Sequence, residues 1–275
     1  SNALESFDKL GFSKENEEAF RKMIHRPNGI VLITGPTGSG KSSTLYAALN
    51  QLNNEEVNII TVEDPVEYRL AGINQVQVNE AVGMTFAASL RSILRQDPDI
   101  IMVGEIRDFE TAQITIRASL TGHLVLSTLH TNSAVAAITR LADMGIEPFL
   151  IASSLTGVVA QRLVRKVCRD CEEIVEPTER EKKIFNEANI EITEVKRGRG
   201  CGSCNRTGYR GRIAIFEVIP IDDKIRKLIM ESASADQIQA YVKVSGVKSL
   251  LDDGLDKVKQ GLTTTEEVLR VAMMN

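Results

Sequence analysis

The sequence has no tryptophan, and phenylalanine and tyrosine together make up only 4% of its 275 residues. Its core therefore has to be filled by aliphatic side chains, and its surface offers few aromatic rings on which nucleic-acid bases stack. The chain also has no excess of positive charge, since its net charge is −4 and its pI is about 5.6. These absences argue against a protein that holds DNA or RNA along its surface.

Long apolar runs are absent as well. The most apolar stretch, residues 148–160, is too short to cross a bilayer, and no signal peptide is visible. We therefore expect a cytoplasmic protein with no membrane span. The first three residues, Ser-Asn-Ala, are typical of a remnant left after tag removal, so we expect the natural protein to begin upstream.

The rest of the chain is organised around one stretch. Residues 30–33 form a β-branched run typical of a buried strand, three glycines follow within six positions, and residues 43–52 favour a helix. A strand, a glycine-rich loop and a helix are the context that makes the G-x-x-x-x-G-K-S pattern a phosphate-binding loop. The loop consists of Gly35, Pro36, Thr37, Gly38, Ser39, Gly40, Lys41 and Ser42.

The composition of this loop indicates its chemistry. Glycines let successive N–H groups turn toward an anion, and the helix that begins at Lys41 adds the positive end of its dipole. Lys41 can reach the β- and γ-phosphates, and the Ser42 hydroxyl is a ligand for Mg²⁺. The alternative is a flexible Gly/Ser turn, which the flanking strand and helix disfavour.

Two further predicted strands are followed by carboxylates. Residues 57–62 precede Glu63, and residues 100–103 precede Glu105 after one glycine. In open α/β sheets ligands bind at the carboxyl ends of the strands. A carboxylate there orients Mg²⁺ or the attacking water of a nucleoside triphosphatase. Either glutamate fits the role of orienting the water, because both follow a strand end.

Three other residues are candidates for contacting phosphate. His130 follows a strand predicted at residues 124–127, which places it on the ligand side of the sheet, where it could contact a γ-phosphate or relay its presence to a neighbouring subunit. Arg91 and Arg95 are four residues apart on a helix that Thr85 caps, so they share one face. Two such arginines usually belong to a solvated surface, and the alternative is that they bind phosphate, on the same or an adjacent subunit.

All four cysteines fall into two C-x-x-C pairs, Cys168 with Cys171 and Cys201 with Cys204. In a protein expected in the cytosol this pattern favours a metal site over disulfides. Four thiolates suit tetrahedral Zn²⁺ and leave no open position, so we predict a structural zinc. A redox pair and four unrelated thiols are the alternatives. The spacer at residues 172–200 is long enough that we expect it to fold as a small subdomain.

Strands and helices alternate from residue 30 onward, which predicts an α/β fold with a mostly parallel sheet and helices on both faces. Helices are predicted at residues 133–144 and 147–165, and a strand at residues 213–218 precedes a helical tail. The predicted units are a tag remnant (1–3), a nucleotide-binding core (4–165), a four-cysteine metal-binding subdomain (166–212) and a mainly helical region (213–275).

Taken in order, these motifs resemble the secretion ATPases of bacterial type II secretion and type IV pilus assembly. The matching stretches are the phosphate loop, residues 61–67 (TVEDPVE), 94–99 (LRQDPD), 104–108 (GEIRD) and 121–132, which runs from TGH to HTN. The four cysteines match that family's metal-binding subdomain. The likeness covers the chain from about residue 5 to its end.

The resemblance implies a RecA-like core and Mg²⁺-dependent ATP hydrolysis that powers a secretion machine. Ser133, which follows the HTN stretch, favours type II secretion over the alternative of pilus assembly. The resemblance also implies a hexameric ring in which Arg91 and Arg95 stabilise charge across a subunit boundary. It implies docking on inner-membrane secretion proteins through a missing amino-terminal region, and hence a cytoplasmic protein that is peripheral at the inner membrane.

Two functions from other classes remain as alternatives. One is a RecA-like nucleic-acid motor, against which the acidic composition argues, so no nucleic-acid partner is expected. The other is a zinc-containing module that binds nucleotide without hydrolysing it. Against this second alternative stands a complete set of site residues, Lys41, Ser42, Glu63 and Glu105.

Overall fold

A computed structural model describes residues 6–273. The predicted tag remnant at residues 1–3 lies outside this range. The strands are β1 (Gly29–Thr34), β2 (Ile59–Glu63), β3 (Asn74–Gln77), β4 (Ile100–Val103), β5 (Leu124–Leu129), β6 (Leu155–Val167), β7 (Glu172–Val175), β8 (Val195–Gly198) and β9 (Tyr209–Pro220).

Most helices begin at a Ser, Thr or Asp whose side chain accepts a hydrogen bond from the first helical turn, as at Ser13, Thr85 and Asp108. The helices are α1 (Phe7–Leu10), α2 (Lys14–Ile24), α3 (Lys41–Leu52), α4 (Phe86–Leu94), α5 (Phe109–Leu120), α6 (Ala134–Asp143), α7 (Pro148–Ser154), α8 (Glu179–Glu187), α9 (Asp223–Met230), α10 (Ala235–Val244), α11 (Leu250–Lys259) and α12 (Thr265–Ala272).

The main sheet has seven strands in the order β3-β2-β4-β5-β1-β6-β9. All neighbouring pairs are parallel except β6 with β9, which is antiparallel. At the carboxyl end of β1, Thr34 pairs with Leu129 of β5 on one side and with Ala160 of β6 on the other. The segments that follow β1, β2, β4 and β5 therefore leave the sheet at one edge, as the predicted α/β fold requires.

The sheet separates two aliphatic cores, and β1 contributes alternate residues to each. Ile30 and Leu32 pack among α4, α5, α6 and α7, whereas Val31 and Ile33 pack among α1, α2 and α3. A third cluster lies where β6 and β9 extend beyond the sheet and are covered by α8, α11 and α12. Arg165 of β6 fixes α12 there, because its Nε donates to the carboxylate of Glu267 at 2.8 Å.

The predicted helix at residues 147–165 is wrong for most of its length. The helix ends at Ser154, and the chain continues as the thirteen-residue strand β6. The first part of this stretch, residues 155–160, is mostly apolar, so its periodicity does not distinguish a buried strand from a buried helix. Its tertiary setting decides the outcome, because β6 is buried between β1 and β9. Gly157 allows close packing there, since a Cβ would lie 2.2 Å from the sulfur of Met23.

The spacer between the two cysteine pairs contains β7 and β8, which pair in an antiparallel sheet, and α8. This subdomain is held between two strands of the main sheet, since β6 ends just before Cys168 and β9 begins just after Cys204. β9 is longer than the strand predicted at residues 213–218 and shares the main sheet with β1. The unit boundaries at residues 165 and 212 stay a prediction.

Candidate active site and metal centre

The phosphate loop spans the turn between β1 and α3, and its backbone accounts for its glycines. Gly38 and Gly40 have φ values of +82° and +85°, a region that residues with a Cβ rarely adopt. A Cβ on Gly35 would lie 2.5 Å from Ser39 Oγ and 2.6 Å from the carbonyl oxygen of Gln161. The loop is thus closed against β6, and its shape depends on glycine at these three positions.

A polar atom in this loop has no partner within residues 6–273. Ser39 is buried, and its hydroxyl makes no hydrogen bond with any of the described residues. A buried hydroxyl without a partner is costly, and an anion held in the loop would give it one. The loop therefore fits the phosphates of a nucleotide, and Ser42 stands exposed on the first turn of α3.

Lys41 is folded back over the loop. Its ammonium donates to the Gly35 carbonyl oxygen and lies 3.1 Å from Nδ1 of His130. The pKa of Lys41 is lowered to about 8. Burial is the main cause and the charge of Arg162 adds to it, while the nearby Glu105 carboxylate acts in the opposite direction. A lysine held this way is a weakly solvated cation whose protein contacts can be exchanged for phosphate oxygens.

His130 joins Lys41 to Glu105, as its predicted position at the end of a strand allows. Its Nε2 lies 2.7 Å from Oε1 of Glu105, whose other oxygen accepts from Nε of Arg107 at 2.7 Å. With Nε2 protonated, His130 donates to the carboxylate while its Nδ1 accepts from Lys41. Glu105 is thus held between the His130 imidazole and the Arg107 guanidinium, at the edge of the sheet that carries the phosphate loop.

Glu63 lies in a different environment, as the last residue of β2. The residue is only 4% exposed, and its carboxylate accepts from the hydroxyls of Tyr46 and Thr61 and from Nε2 of Gln75. Both of its oxygens are therefore occupied by donors from α3, β2 and β3. The structure separates two glutamates that sequence reasoning left equivalent, since Glu105 contacts the Lys41–His130 pair and Glu63 does not.

Arg91 lies on the exposed surface of α4, and Arg95, also exposed, is the residue directly after the helix. Arg91 pairs with Glu110 of α5 at 2.6 Å, and one nitrogen of Arg95 approaches the Arg91 carbonyl oxygen at 3.4 Å. Within residues 6–273, neither side chain makes a hydrogen bond to the phosphate loop. A single chain therefore does not bring these two arginines to the candidate site.

Two residues of β6 that sequence reasoning missed support the loop from behind. The Gln161 side chain accepts from the hydroxyl of Thr44 in α3 at 2.7 Å, and its Nε2 lies 2.8 Å from where a Cβ on Gly40 would be. Arg162 donates to the carbonyl oxygens of Asn132 and Gln161. The signal was a glutamine and an arginine interrupting an apolar run, but the wrongly predicted helix hid their position beside β1.

The four cysteine sulfurs lie within 4.8 Å of one another, although they come from two turns that are about thirty residues apart. Three sulfur pairs are 3.8 Å apart, Cys168 with Cys201, Cys171 with Cys204, and Cys201 with Cys204. Four thiolates bound to zinc at about 2.3 Å in a regular tetrahedron would be about 3.8 Å apart. Both the donor set and the spacing fit zinc.

Backbone N–H groups in the second turn point at the sulfurs. Cys204 accepts from the N–H groups of Cys201 and Gly208, each at 3.2 Å, and Cys171 accepts from that of Gly200 at 3.3 Å. Burial raises the pKa of the Cys204 thiol, but the N–H groups of Cys201 and Gly208, together with the Cys201 and Cys171 thiols, outweigh it and lower the pKa to about 6. Burial raises the pKa of the Cys171 thiol to about 12, although the N–H of Gly200 lowers it. The backbone N–H groups therefore favour the thiolate of Cys204, the form that binds metal.

The parallel sheet with a phosphate loop after β1 and a polar edge formed by β2, β4 and β5 defines a P-loop nucleotide-binding fold of the RecA-like type. Residues 1–270 match the family model described as "Type II/IV secretion system protein". The chain belongs to this family, and the resemblance seen in its motifs is confirmed.

The curated relatives extend the match. The chain is 57% identical over 262 residues to a type II secretion system ATPase E of Vibrio cholerae. The match covers 95% of this chain and 52% of that protein. It is 52% identical over 268 residues to a type IV pilus assembly ATPase PilB of Thermus thermophilus, covering 97% of this chain and 30% of that protein. The chain thus spans about half the length of the type II relatives it matches.

Among solved structures, the chain is similar to the pilus retraction motor PilT with bound ADP. The TM-score is 0.73 at 30% identity, and the match covers 98% of this chain and 67% of that one. The predicted fold class is confirmed by this likeness and by the parallel sheet. Within the part of the chain that the structure describes, no helix has the length and apolarity needed to span a bilayer.

Proposed function

We propose that this chain is the ATP-hydrolysing part of a motor that powers type II protein secretion. The observation that carries the proposal is the contact series from Lys41 through His130 to Glu105, at the sheet edge where the phosphate loop opens. It joins the lysine that neutralises phosphate charge to the carboxylate that serves Mg²⁺ and water in P-loop enzymes. The 57% identity to a type II secretion ATPase supports the cellular role.

Each residue of the site then has a task. The loop N–H groups and Lys41 bind the phosphates, while Ser42 and Glu105 hold Mg²⁺, directly or through water, and the metal neutralises charge on the phosphates. Glu105 is also the residue that orients the attacking water, because its carboxylate lies beside the Lys41–His130 pair. Glu63 holds Tyr46 and Gln75 in place through buried hydrogen bonds, and therefore positions α3 and β3.

The motor acts as an oligomer, which we propose to be a hexameric ring. Arg91 and Arg95 are exposed and make no hydrogen bond to the loop of their own subunit, so they are available to a neighbour's nucleotide. An arginine supplied in this way contributes about 10³ to 10⁵ in rate. The ring binds secretion-system proteins at the cytoplasmic face of the inner membrane.

Pilus assembly is the second candidate function, because the chain is also 52% identical to a pilus assembly ATPase. The serine that favours type II secretion has a structural role here, since Ser133 Oγ accepts from the N–H of Ala136 and caps α6. Aspartate caps helices equally well, so this position does not separate the two functions by its chemistry. The proposal for type II secretion therefore rests on the higher identity.

ATP turnover measured against protein concentration tests the proposal, with Glu105→Gln as the inactive control. Turnover that rises faster than linearly, and that is absent in the variant, is the expected result for sites completed by neighbours. Turnover strictly proportional to protein concentration would contradict the proposal that Arg91 and Arg95 act on a neighbour's nucleotide. It would still support ATP hydrolysis by the chain. Wild-type protein that binds ATP and never hydrolyses it, at any concentration, would contradict hydrolysis by this part of the chain.

A further inference from the structure

Arg162 is a buried arginine without an acidic partner. It lies on β6, is 5% exposed, and donates to the carbonyl oxygens of Asn132 at 2.7 Å and Gln161 at 3.1 Å. Within residues 6–273, no carboxylate oxygen lies within 4 Å of its guanidinium, whereas other arginines of the sheet and its surroundings, such as Arg107 and Arg165, pair with glutamates.

Such an arrangement is costly unless an anion approaches. Arginine stays charged in proteins, and arginine is almost never fully buried without a partner. Burial lowers the pKa of Arg162, as expected when water is removed from a cation and no carboxylate replaces it. Two neutral carbonyl oxygens hold the guanidinium in place but do not balance its charge.

The position of Arg162 identifies the missing anion. Ala160 pairs with Thr34, the last residue of β1, so Arg162 lies two residues further along, beside the start of the phosphate loop. The Gln161 carbonyl oxygen that accepts from Arg162 also packs against the loop, since a Cβ on Gly35 would lie 2.6 Å from it. Arg162 is close enough to Lys41 for its charge to lower the pKa of the lysine.

Gln161 and Arg162, which are adjacent on β6, make contacts on opposite faces of the sheet. Successive side chains of a strand point to opposite faces, so Gln161 reaches Thr44 in α3 and Arg162 reaches Asn132, just before α6. The segment at residues 130–132 therefore touches Lys41 through His130 and Arg162 through Asn132. Lys41 and Arg162 are thus two cations that contact the same short segment beside the phosphate loop.

We propose that Arg162 is a nucleotide-binding residue whose counter-charge is the phosphate group of the bound nucleotide. The inference deepens the proposed function and rests on it. Because the guanidinium is already held by two carbonyl oxygens, it adds a preorganised positive charge to the site and loses little freedom on binding. Its contribution grows with the negative charge of the ligand, so it favours ATP over ADP and ADP over AMP.

The test compares nucleotide dissociation constants for wild type, Arg162→Gln, Arg162→Lys and the control Arg226→Gln. Arg226 is a matched loss of one positive charge, since it lies on α9 and its partner is the exposed Asp223. We expect Arg162→Gln to weaken ATP binding about tenfold, ADP binding less and AMP binding least, at unchanged far-UV circular dichroism. Arg162→Lys keeps a positive charge but loses the fork that donates to two carbonyl oxygens, so its loss of ATP affinity should be smaller than that of Arg162→Gln.

Each other outcome has a definite reading. Equal affinity of wild type and a folded Arg162→Gln for ATP would overturn the inference, as would a loss that is the same for ATP and AMP. If Arg162→Gln does not fold, Arg162→Lys decides, because a tenfold loss shared by ATP and AMP would show a role in loop shape alone. Wild-type protein that binds no ATP would overturn the proposed function itself, which distinguishes the two failures.

Discussion

The two polar centres of this chain are built in opposite ways. In the cysteine centre four like groups converge within 4.8 Å, and N–H groups of the backbone favour their charged form. At the nucleotide edge, unlike groups satisfy one another, since Lys41 contacts His130 and His130 contacts Glu105. The first arrangement fits a cation at its middle, whereas the groups of the second already have partners, which they can exchange for a ligand's atoms.

This difference corresponds to two uses of charge. A structural metal site gains its stability once, on folding, and its ligands then stay fixed. A site that turns substrate over has to bind and release it repeatedly, so its charges need partners in the empty state that are strong enough to hold them and weak enough to be replaced. Substitutions in the cysteine centre should therefore lower stability most, and substitutions at the nucleotide edge should lower turnover most.

The largest effect is expected in the cysteine centre. Cys204→Ser removes one thiolate, and because structural zinc contributes about 10–16 kcal/mol to folding in small zinc peptides, the subdomain should lose both its metal and its fold. Native mass spectrometry should show the loss of one zinc, and trypsin should cut between residues 172 and 200. Ser203→Ala, in the same turn but exposed, is the control. One retained zinc in Cys204→Ser would contradict a four-thiolate site.

At the nucleotide edge, Glu105→Gln should act on turnover and leave the fold intact. Removal of a base that orients water costs about 10²- to 10⁴-fold in kcat, while ATP binding through the loop persists. Steady-state turnover and equilibrium binding measure the two effects, and Glu56→Gln on an exposed turn is the control. A variant that keeps half of the wild-type kcat would exclude Glu105 from the chemistry.

Glu63→Gln should act on stability rather than on turnover, which sharpens the contrast between the two glutamates. Its buried carboxylate accepts from three side chains, and an amide leaves at least one donor unpaired, so we expect about 1–3 kcal/mol less free energy of unfolding. Urea denaturation of the two variants measures this. Equal stability of Glu63→Gln and wild type would mean that the hydrogen bonds around Glu63 contribute nothing net.

The smallest effect is the dependence of ATP binding on pH. The pKa of Lys41 is lowered to about 8 in the empty site, and phosphate favours its charged form, so binding above pH 8 has to add a proton to Lys41. The dissociation constant should therefore be flat below pH 8 and rise up to about tenfold per unit from pH 8 toward the ordinary lysine value.

Titration calorimetry at pH 7 and 9, in buffers with different heats of ionisation, measures the uptake of that proton. Lys22 of α2 is distant in the chain from the loop, so Lys22→Met should leave the dissociation constants at pH 7 and pH 9 unchanged. An affinity that does not change between pH 7 and 9 would contradict the lowered pKa.

Features set by local sequence were the ones that could be predicted. The phosphate loop, the strands β1, β2 and β4, and the cysteine pairs follow from short patterns whose chemistry requires those residues. β6 could not be predicted, because an apolar run buried on both sides has no period of its own, and its state depends on β1 and β9. The roles of Gln161 and Arg162 were hidden with it.

The two glutamates show the same limit within the candidate site. Sequence reasoning placed both Glu63 and Glu105 at strand ends, and the structure has Glu63 as the last residue of β2 and Glu105 two residues after β4. It could not tell which carboxylate is enclosed, because that depends on Tyr46 and Gln75, which approach from α3 and β3. The assignment of the water-orienting role to Glu105 remains a proposal that the substitutions above test.

The length of β6 links the two centres mechanically. The strand carries Arg162 beside the phosphate loop and ends at Val167, directly before Cys168. The six residues from Arg162 to Cys168 span about 20 Å at the rise of a β-strand, and β9 stiffens them as an antiparallel partner. A tilt of β6 by roughly 5° at the loop would move the cysteine centre by about 2 Å over that span. The strand that borders the phosphate loop is therefore the same strand that carries the cysteine centre, about 20 Å further along.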